Sequence, residues 1–116
     1  QILDFGAYSL DSVDYPDYAY PAAESVAAGV ADFGVLVCGS GIGVSITANK
    51  VTGIRAANCC TVEMAELSRQ HNNANVITLG SRLINKNTAF KWIDVFIKTK
   101  FEGGRHLRRI KKIPVK

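Results

Sequence analysis

A single thiol stands directly before a glycine-rich loop in residues 32–50, which read DFGVLVCGSGIGVSITANK. Cys38 is followed by glycine at positions 39, 41 and 43. Such a loop can turn its backbone N–H groups inward, so that together they hold a phosphate or an enolate oxygen. The positive end of a helix that follows strengthens such a site and lowers the pKa of the neighbouring thiol toward neutrality. The segment therefore predicts an anion site beside a nucleophile or a base.

The sequence around this loop predicts the elements that position it. Residues 33–37 have the apolar, β-branched character of a strand buried on both faces of a parallel sheet, and residues 44–50 can form a helix. Other strands are predicted around residues 2–4, 54–58 and 76–79, and other helices over residues 18–28, 62–71 and 86–100. This alternation indicates an α/β fold of three layers, a Rossmann-like parallel sheet with helices on both faces. The glycine loop then lies at a strand's carboxyl end, where such sheets bind ligands.

Length and composition bound the class of protein. With 116 residues, 47% of them hydrophobic, residues 1–116 are expected to form one domain with its own core. The chain has neither an apolar run of about 18 residues nor a secretory signal, so we expect no membrane span. Its three cysteines, two of them adjacent, suit neither a disulfide framework nor a metal pair, and a reducing cytoplasm is the expected compartment.

Positive charge is concentrated at the C-terminal end. Residues 98–116 carry eight Lys or Arg and one Glu, whereas residues 1–97 carry six positive and nine negative side chains. A basic tail can contact nucleic acid, an acidic partner surface or a phosphorylated small molecule, and a solvated helix end is the simplest explanation. The tail lacks interleaved aromatic residues after Phe101 and matches no groove-reading motif, so we expect no nucleic-acid binding.

Few other side chains could take part in chemistry. His71 and Asn72 lie where a predicted helix ends, and Arg82 follows a predicted strand. A histidine at a helix end is often only a favourable charge against the helix dipole, and an exposed arginine often makes only a weak ion pair. Polar groups in a connecting loop nevertheless favour a catalytic role for His71.

The end of the chain contains a second basic arrangement. The glycine pair at positions 103 and 104 should end the preceding helix, after which Arg105 and Arg109 lie four residues apart on one face of a new helix. Two guanidiniums on one face suit a phosphate dianion, because arginine stays charged and donates bidentate hydrogen bonds. A solvated face without function is almost as good an explanation of this segment alone.

Five segments, in this order, resemble the B-type ribose-5-phosphate isomerases. They are CGSGIGVSITANK at 38–50, GIRA at 53–56, LSRQHN at 67–72, LGSR at 79–82 and EGGRH at 102–106. Tyr15 and its neighbours also match an Asp-Tyr-Pro segment of that family. The resemblance extends over essentially the whole chain, and five segments together are far more specific than one glycine pattern.

The resemblance implies an aldose–ketose isomerase that interconverts ribose 5-phosphate and ribulose 5-phosphate through a cis-enediolate, in the pentose phosphate pathway, with no metal or organic cofactor. On this resemblance Cys38 is the base that moves the carbon-bound proton, Ser40 relays a proton between sugar oxygens, and His71 opens the furanose ring. The positions that match substrate-binding or phosphate-binding residues are Tyr15, Gly39, Gly41, Ile42, Gly43, Asn72, Arg82, Arg105 and Arg109.

The resemblance also implies a homodimer, or a dimer of dimers, whose pocket receives residues from both subunits. The basic tail, residues 101–116, is then expected to reach toward the partner subunit. One departure from the family is expected to matter. Family members begin with a strand that ends in Asp-His and a helix, whereas this chain starts inside the family's second strand. We therefore expect an N-terminally truncated domain that lacks the first βα unit and is impaired in activity.

Two alternatives stay open at this point. The same superfamily contains the subunits of galactose-6-phosphate isomerase, which carry out the same reaction on a six-carbon sugar. A phosphosugar-binding module that does not catalyse is the second alternative, and it follows naturally from a genuine truncation. A P-loop nucleotidase is excluded, because the glycine loop lacks the Gly-Lys-Ser/Thr that holds nucleotide phosphates and magnesium.

Overall fold

Three parallel strands form the centre of the molecule, which we describe from a computed structural model over residues 1–114. The strands are β1 (Gly34–Cys38), β2 (Ala56–Asn58) and β3 (Val76–Gly80), in the spatial order β1-β3-β2. The helices are α1 (Pro16–Ala27), α2 (Ile42–Asn49), α3 (Val62–Asn72), α4 (Lys86–Lys98) and α5 (Arg105–Ile110). This arrangement confirms the predicted α/β, Rossmann-like fold; residues 115 and 116 of the predicted tail lie outside the described part.

The register of the sheet brings the ends of the strands together. Gly34 is paired with Val76 and Cys38 with Gly80, so β1 and β3 begin and end at the same two edges of the sheet. All five residues of β3 are buried, because it is the central strand and helices cover both of its faces. Residues that follow β1 and β3 therefore meet at the carboxyl edge.

Two clusters of buried apolar side chains join the sheet to its helices. On the face covered by α1 and α2 they are Ala19, Ala23, Val26, Leu36, Val44, Ala48, Ile54 and Val76. On the face covered by α3 and α4 they are Cys59, Ala65, Ala74, Ile77, Leu79 and Phe96. Because successive side chains of a strand point to opposite faces, β3 contributes to both clusters and fixes the two helical layers relative to each other.

Local signals explain where two helices begin. The Thr61 hydroxyl accepts a hydrogen bond from the Met64 N–H at 3.1 Å and caps α3, as its position before the helix predicts. Helix α2 begins at Ile42, two residues earlier than predicted, because the left-handed Gly41, with φ of 81°, stands directly before it. The glycine loop between β1 and α2 is consequently shorter and tighter than expected.

Two predictions about strands are wrong. Residues 2–4 form no strand, and Ile2 and Leu3 are 90% and 50% exposed, because no other strand lies beside them to complete a hydrogen-bonded ladder. Strand β1 is not buried on both faces, since it is an edge strand of the described sheet and Val35 and Val37 are 41% and 55% exposed.

Among the helices of residues 1–114, none combines the length and apolar character needed to cross a membrane.

Candidate active site

An open pocket of about 610 Å³ lies at the carboxyl edge of the sheet, next to the glycine loop. Seven predicted site residues line it: Tyr15, Cys38, Gly39, Ser40, Ile42, Gly43 and Arg82. The apolar side chains of Ile46 and Leu83 complete its wall. The structure thus brings the thiol, the loop and one arginine of the predicted site to a single opening.

The loop after β1 is held by the turn that follows β3. The N–H groups of Ser81 and Arg82 donate to the carbonyls of Cys38 and Gly39, at 2.9 and 3.1 Å. These two hydrogen bonds extend the pairing of the strands beyond the sheet. They place the Arg82 side chain next to Gly39 and in the same pocket as the thiol, although Arg82 and Cys38 are far apart in sequence.

The Cys38 sulfur lies against backbone N–H groups at the start of α2. The Gly41 N–H donates to the sulfur at 3.2 Å. Partial burial acts to raise the pKa of the Cys38 thiol, but the backbone N–H groups of Val44, Ser40, Gly41 and Gly43 outweigh it and lower the pKa below its ordinary value. The predicted anion site therefore stabilises the thiolate of Cys38 itself.

This lowered pKa is measurable by alkylation. In a Cys60→Ser variant, iodoacetamide should modify Cys38 with a rate that reaches half its maximum below the ordinary pKa of a cysteine, because only the thiolate reacts. Burial raises the pKa of Cys59 to about 11, so that thiol should not interfere. Mass spectrometry across a pH series gives the profile, and the same protein unfolded in urea is the reference. Identical profiles in the folded and unfolded protein would contradict the assignment.

Gly41 itself cannot be replaced without strain. A Cβ at this position would lie 2.3 Å from Asn58 Oδ1 and 2.9 Å from the Leu79 carbonyl carbon, and its φ of 81° disfavours any side chain. Asn58 cannot easily withdraw, because its Oδ1 accepts a hydrogen bond from the Thr78 hydroxyl at 3.1 Å. Asn58 was not predicted as a site residue from the sequence, and its side chain lies directly against Gly41 of the loop.

Gly41→Ala is expected to lower the free energy of unfolding by about 2–5 kcal/mol, since it combines left-handed strain with overpacking. Gly29→Ala is the matched control, because Gly29 also has a positive φ, of 78°, but a Cβ there meets no atom within 4 Å. The control should lose only about 1–2 kcal/mol. Urea unfolding of both variants measures the difference, and equal losses would show that the close approach to Asn58 is unimportant.

The other predicted site residues lie at the opposite edge of the sheet. His71 and Asn72 end α3, which leads into the amino end of β3, whereas Cys38 stands at the carboxyl end of β1. Strands of five residues span about 13 Å between these two edges. The exposed Arg105 and Arg109 accompany His71, on α5. None of these four residues lines the Cys38 pocket.

His71 takes part in a cluster that was not predicted from the sequence. Its imidazole stacks on that of His106, with ring centroids 4.3 Å apart and an angle of 11° between the planes. Oε1 of Glu102 lies 3.8 Å from Nε2 of His71 and 3.6 Å from Nε2 of His106. The EGGRH segment contained both new residues, and their four-residue spacing was the available signal.

Burial and neighbouring charges lower the pKa of one of these imidazoles. Burial, followed by the charges of His71 and Arg105, lowers the pKa of His106, while the Glu102 carboxylate acts in the opposite direction and Arg109 adds to the lowering. The lowered pKa favours the neutral form of the His106 imidazole.

Two arginines fix the end of α3, which carries His71. The Arg55 guanidinium donates to the carbonyl of Asn72 at 3.0 Å. The buried Arg69 donates to the carbonyls of Ala74 and Thr99, at 2.6 and 3.2 Å, and so connects the end of α3 to the end of α4. These bonds satisfy carbonyls that a helix end leaves free, and they position the histidine cluster.

Comparison with known proteins gives consistent matches. A family model described as Ribose/Galactose Isomerase matches residues 1–113. The chain is 44% identical over 113 residues to ribose-5-phosphate isomerase B of Escherichia coli, and the match covers 97% of this chain and 76% of that protein.

Solved structures match equally well. Ribose-5-phosphate isomerase B of Clostridium thermocellum superposes with a TM-score of 0.94 at 48% identity, covering 96% of this chain and 75% of that chain. The corresponding protein of Mycoplasma genitalium, solved with bound ribulose-5-phosphate, superposes with a TM-score of 0.92 at 46% identity, covering 96% and 74%. The chain therefore spans about three quarters of the length of each of these relatives.

Proposed function

This chain belongs to the ribose/galactose isomerase family, and we propose that it interconverts ribose 5-phosphate and ribulose 5-phosphate through a cis-enediolate. The observation that carries the proposal is the position of the Cys38 sulfur, which accepts a backbone hydrogen bond while it lines an open pocket beside Arg82. Moving a proton between two carbons of a sugar phosphate needs a base, donors for the developing oxyanion and a cation for the phosphate. This pocket offers all three.

The thiol is suited to move the proton. As a thiolate, Cys38 removes the proton from C2 of the open-chain aldose and returns it to C1 of the enediolate. General bases work best when their pKa lies near the working pH, and the backbone N–H groups lower the pKa of this thiol in that direction. No change in the oxidation state of the protein accompanies the transfer.

The loop and its neighbours hold the substrate. The loop of residues 39–43 offers backbone N–H groups to the enediolate oxygen, and the Gly41 N–H also donates to the sulfur. A preorganised donor of this kind contributes about 3 kcal/mol to transition-state stabilisation. The Ser40 hydroxyl, which accepts from the Ile42 N–H at 3.2 Å, relays a proton between the sugar oxygens. Tyr15 and Arg82, which lie next to Gly43 and Gly39, contact the sugar phosphate.

A second copy of the chain completes the site. One sugar phosphate at Cys38 cannot reach His71 of the same chain, because the two residues lie at opposite ends of strands that are about 13 Å long. We infer that two copies form a homodimer in which His71 opens the ring and Asn72, Arg105 and Arg109 bind the substrate held by the other copy.

The surface around the pocket supports this dimer. Ile42, Ile46 and Leu83 are 55%, 59% and 64% exposed at its rim, and a second copy would cover them. The charge distribution is also complementary, since a basic tail meets a body in which acidic side chains outnumber basic ones.

All three cysteines, at positions 38, 59 and 60, are free thiols. A catalytic thiol that forms a disulfide or a sulfenic acid loses its function as a base. We therefore place the enzyme in the reducing cytoplasm.

Isomerisation in deuterium oxide tests the function. The purified protein should convert ribose 5-phosphate into ribulose 5-phosphate and incorporate solvent deuterium at C2 of the recovered aldose, as NMR can measure. Binding of ribose 5-phosphate without exchange would identify a phosphosugar-binding module instead. A higher kcat/KM for galactose 6-phosphate, assayed in parallel, would assign the chain to the six-carbon branch of the family.

A further inference from the structure

Two imidazoles and one carboxylate converge where α3 meets α5. His71 comes from the end of α3, and Glu102 and His106 come from the EGGRH segment; one ligand atom of each residue lies within 4.8 Å of the other two. Two histidines and one glutamate form a common ligand set for Zn²⁺ in sites that keep a fourth position open. We propose that His71, Glu102 and His106 form a binding site for a transition-metal ion of the Zn²⁺ class.

The distances favour an ion over direct hydrogen bonds. The separations of 3.8 and 3.6 Å between the imidazole nitrogens and Oε1 exceed hydrogen-bond length, so these atoms do not satisfy one another. Two ligands about 2.0–2.1 Å from a tetrahedral zinc lie roughly 3.4 Å apart. Each nitrogen–oxygen pair therefore needs to close by only a few tenths of an ångström.

The cluster combines one fixed ligand with two adjustable ones. The side chain of His106 is only 10% exposed, whereas those of His71 and Glu102 are 41% and 51% exposed. The two rings are nearly parallel, so the ring of His71 has to tilt before both lone pairs can point at one ion. Its exposure permits that tilt, and the backbone bond from the Glu102 N–H to the Gln70 carbonyl, at 3.0 Å, keeps the carboxylate near.

The charges around the cluster set its affinity. Within residues 1–114, the two histidines are the basic side chains that lie within 4 Å of the Glu102 carboxylate, and no lysine or arginine lies as close to it. The guanidiniums of Arg105 and Arg109 on α5 act against a divalent cation through their positive charge. We therefore expect a dissociation constant in the micromolar range, weaker than that of a structural zinc site.

Occupancy would inhibit the isomerase, a consequence that rests on the proposed function. The ion takes the Nε2 lone pair of His71, which ring opening requires, and it ties the start of the basic tail to α3. Free zinc would then act as a reversible inhibitor at a site separate from the thiol.

Calorimetry with zinc chloride tests binding without any substrate. The titrated protein is the full chain with Cys38→Ala and Cys60→Ser, which removes the accessible thiols as competing ligands. One ion should bind per chain, and Glu102→Gln or His106→Ala should each weaken binding by at least about 10–100-fold, the loss that an outer-shell change already causes. Glu66→Gln, which removes an exposed carboxylate of α3, is the matched control and should bind zinc normally.

Two results would overturn the site: no zinc binding below about 1 mM, or equal binding by the Glu102→Gln and Glu66→Gln variants. Because Glu102 is exposed, its substitution is expected to leave the fold intact. With the thiols restored, zinc should inhibit isomerisation, and Glu102→Gln should need at least about tenfold more zinc for the same inhibition. A protein that binds zinc but does not isomerise ribose 5-phosphate would refute the proposed function and support the metal site. A protein that isomerises ribose 5-phosphate but does not bind zinc would refute the metal site and support the proposed function.

Discussion

Cys38→Ala should lower kcat for ribose 5-phosphate isomerisation by about 10²–10⁴-fold, the contribution typical of a positioned general base. Alanine has no group that can accept the C2 proton, while the pocket and the backbone N–H groups that bind the substrate stay in place. KM should therefore change much less than kcat. The fold should also be retained, because Cys38 is only partly buried at the end of an edge strand.

The exposed Cys60 provides the matched control for this experiment. Cys60→Ser removes a thiol of the same chain without touching the pocket, and it should keep kcat and KM. Both variants should show urea unfolding midpoints close to that of the unchanged protein. If Cys38→Ala keeps its kcat while Cys60→Ser does so too, a group other than the thiol moves the proton.

Much of the fold follows from local signals. The glycine loop, the Thr61 cap and the start of α5 after Gly104 depend on backbone geometry that a few neighbouring residues determine. The glycine pair does not end α4 as predicted, because that helix already ends at Lys98. The alternation of strands and helices follows from side-chain periodicity. These features were therefore predicted, with errors of one or two residues at most ends.

Features that depend on distant contacts were not predicted. Residues 2–4 are apolar enough for a strand, but a strand exists only where another strand accepts its hydrogen bonds. The stacking of His71 on His106 joins two segments separated by the whole of α4. Asn58 reaches Gly41 only because β2 lies beside β3. No pattern in the sequence predicts that these two strands are neighbours.

The order of the strands and helices already indicates that the predicted site residues divide into two groups, one near Cys38 and one near His71. In a parallel sheet every loop that follows a strand lies at the carboxyl edge, and every loop that follows a helix lies at the amino edge. Cys38 ends a strand and Arg82 follows one, whereas His71 lies at the end of a helix. The order of elements alone therefore places the thiol and the histidine on opposite edges, and a site that uses both needs two copies of the chain.

Mixed dimers should reveal this shared site directly. Cys38→Ala and His71→Ala should each be nearly inactive alone, but unfolding them together and refolding the mixture should restore about a quarter of the activity of the unchanged protein. Random pairing makes half of the dimers mixed, and each mixed dimer has one intact site of two. The other site carries both substitutions and stays inactive.

A second mixture separates complementation from other causes of recovery. Cys38→Ala and Arg82→Ala alter the same pocket, so neither site of their mixed dimer is intact and no activity should return. Native mass spectrometry confirms that mixed dimers form in both experiments. Mixed Cys38→Ala and His71→Ala dimers that remain inactive would show that the histidine cluster does not serve the other copy's thiol, and the separation of the two groups by the sheet would then exclude His71 from the reaction at Cys38.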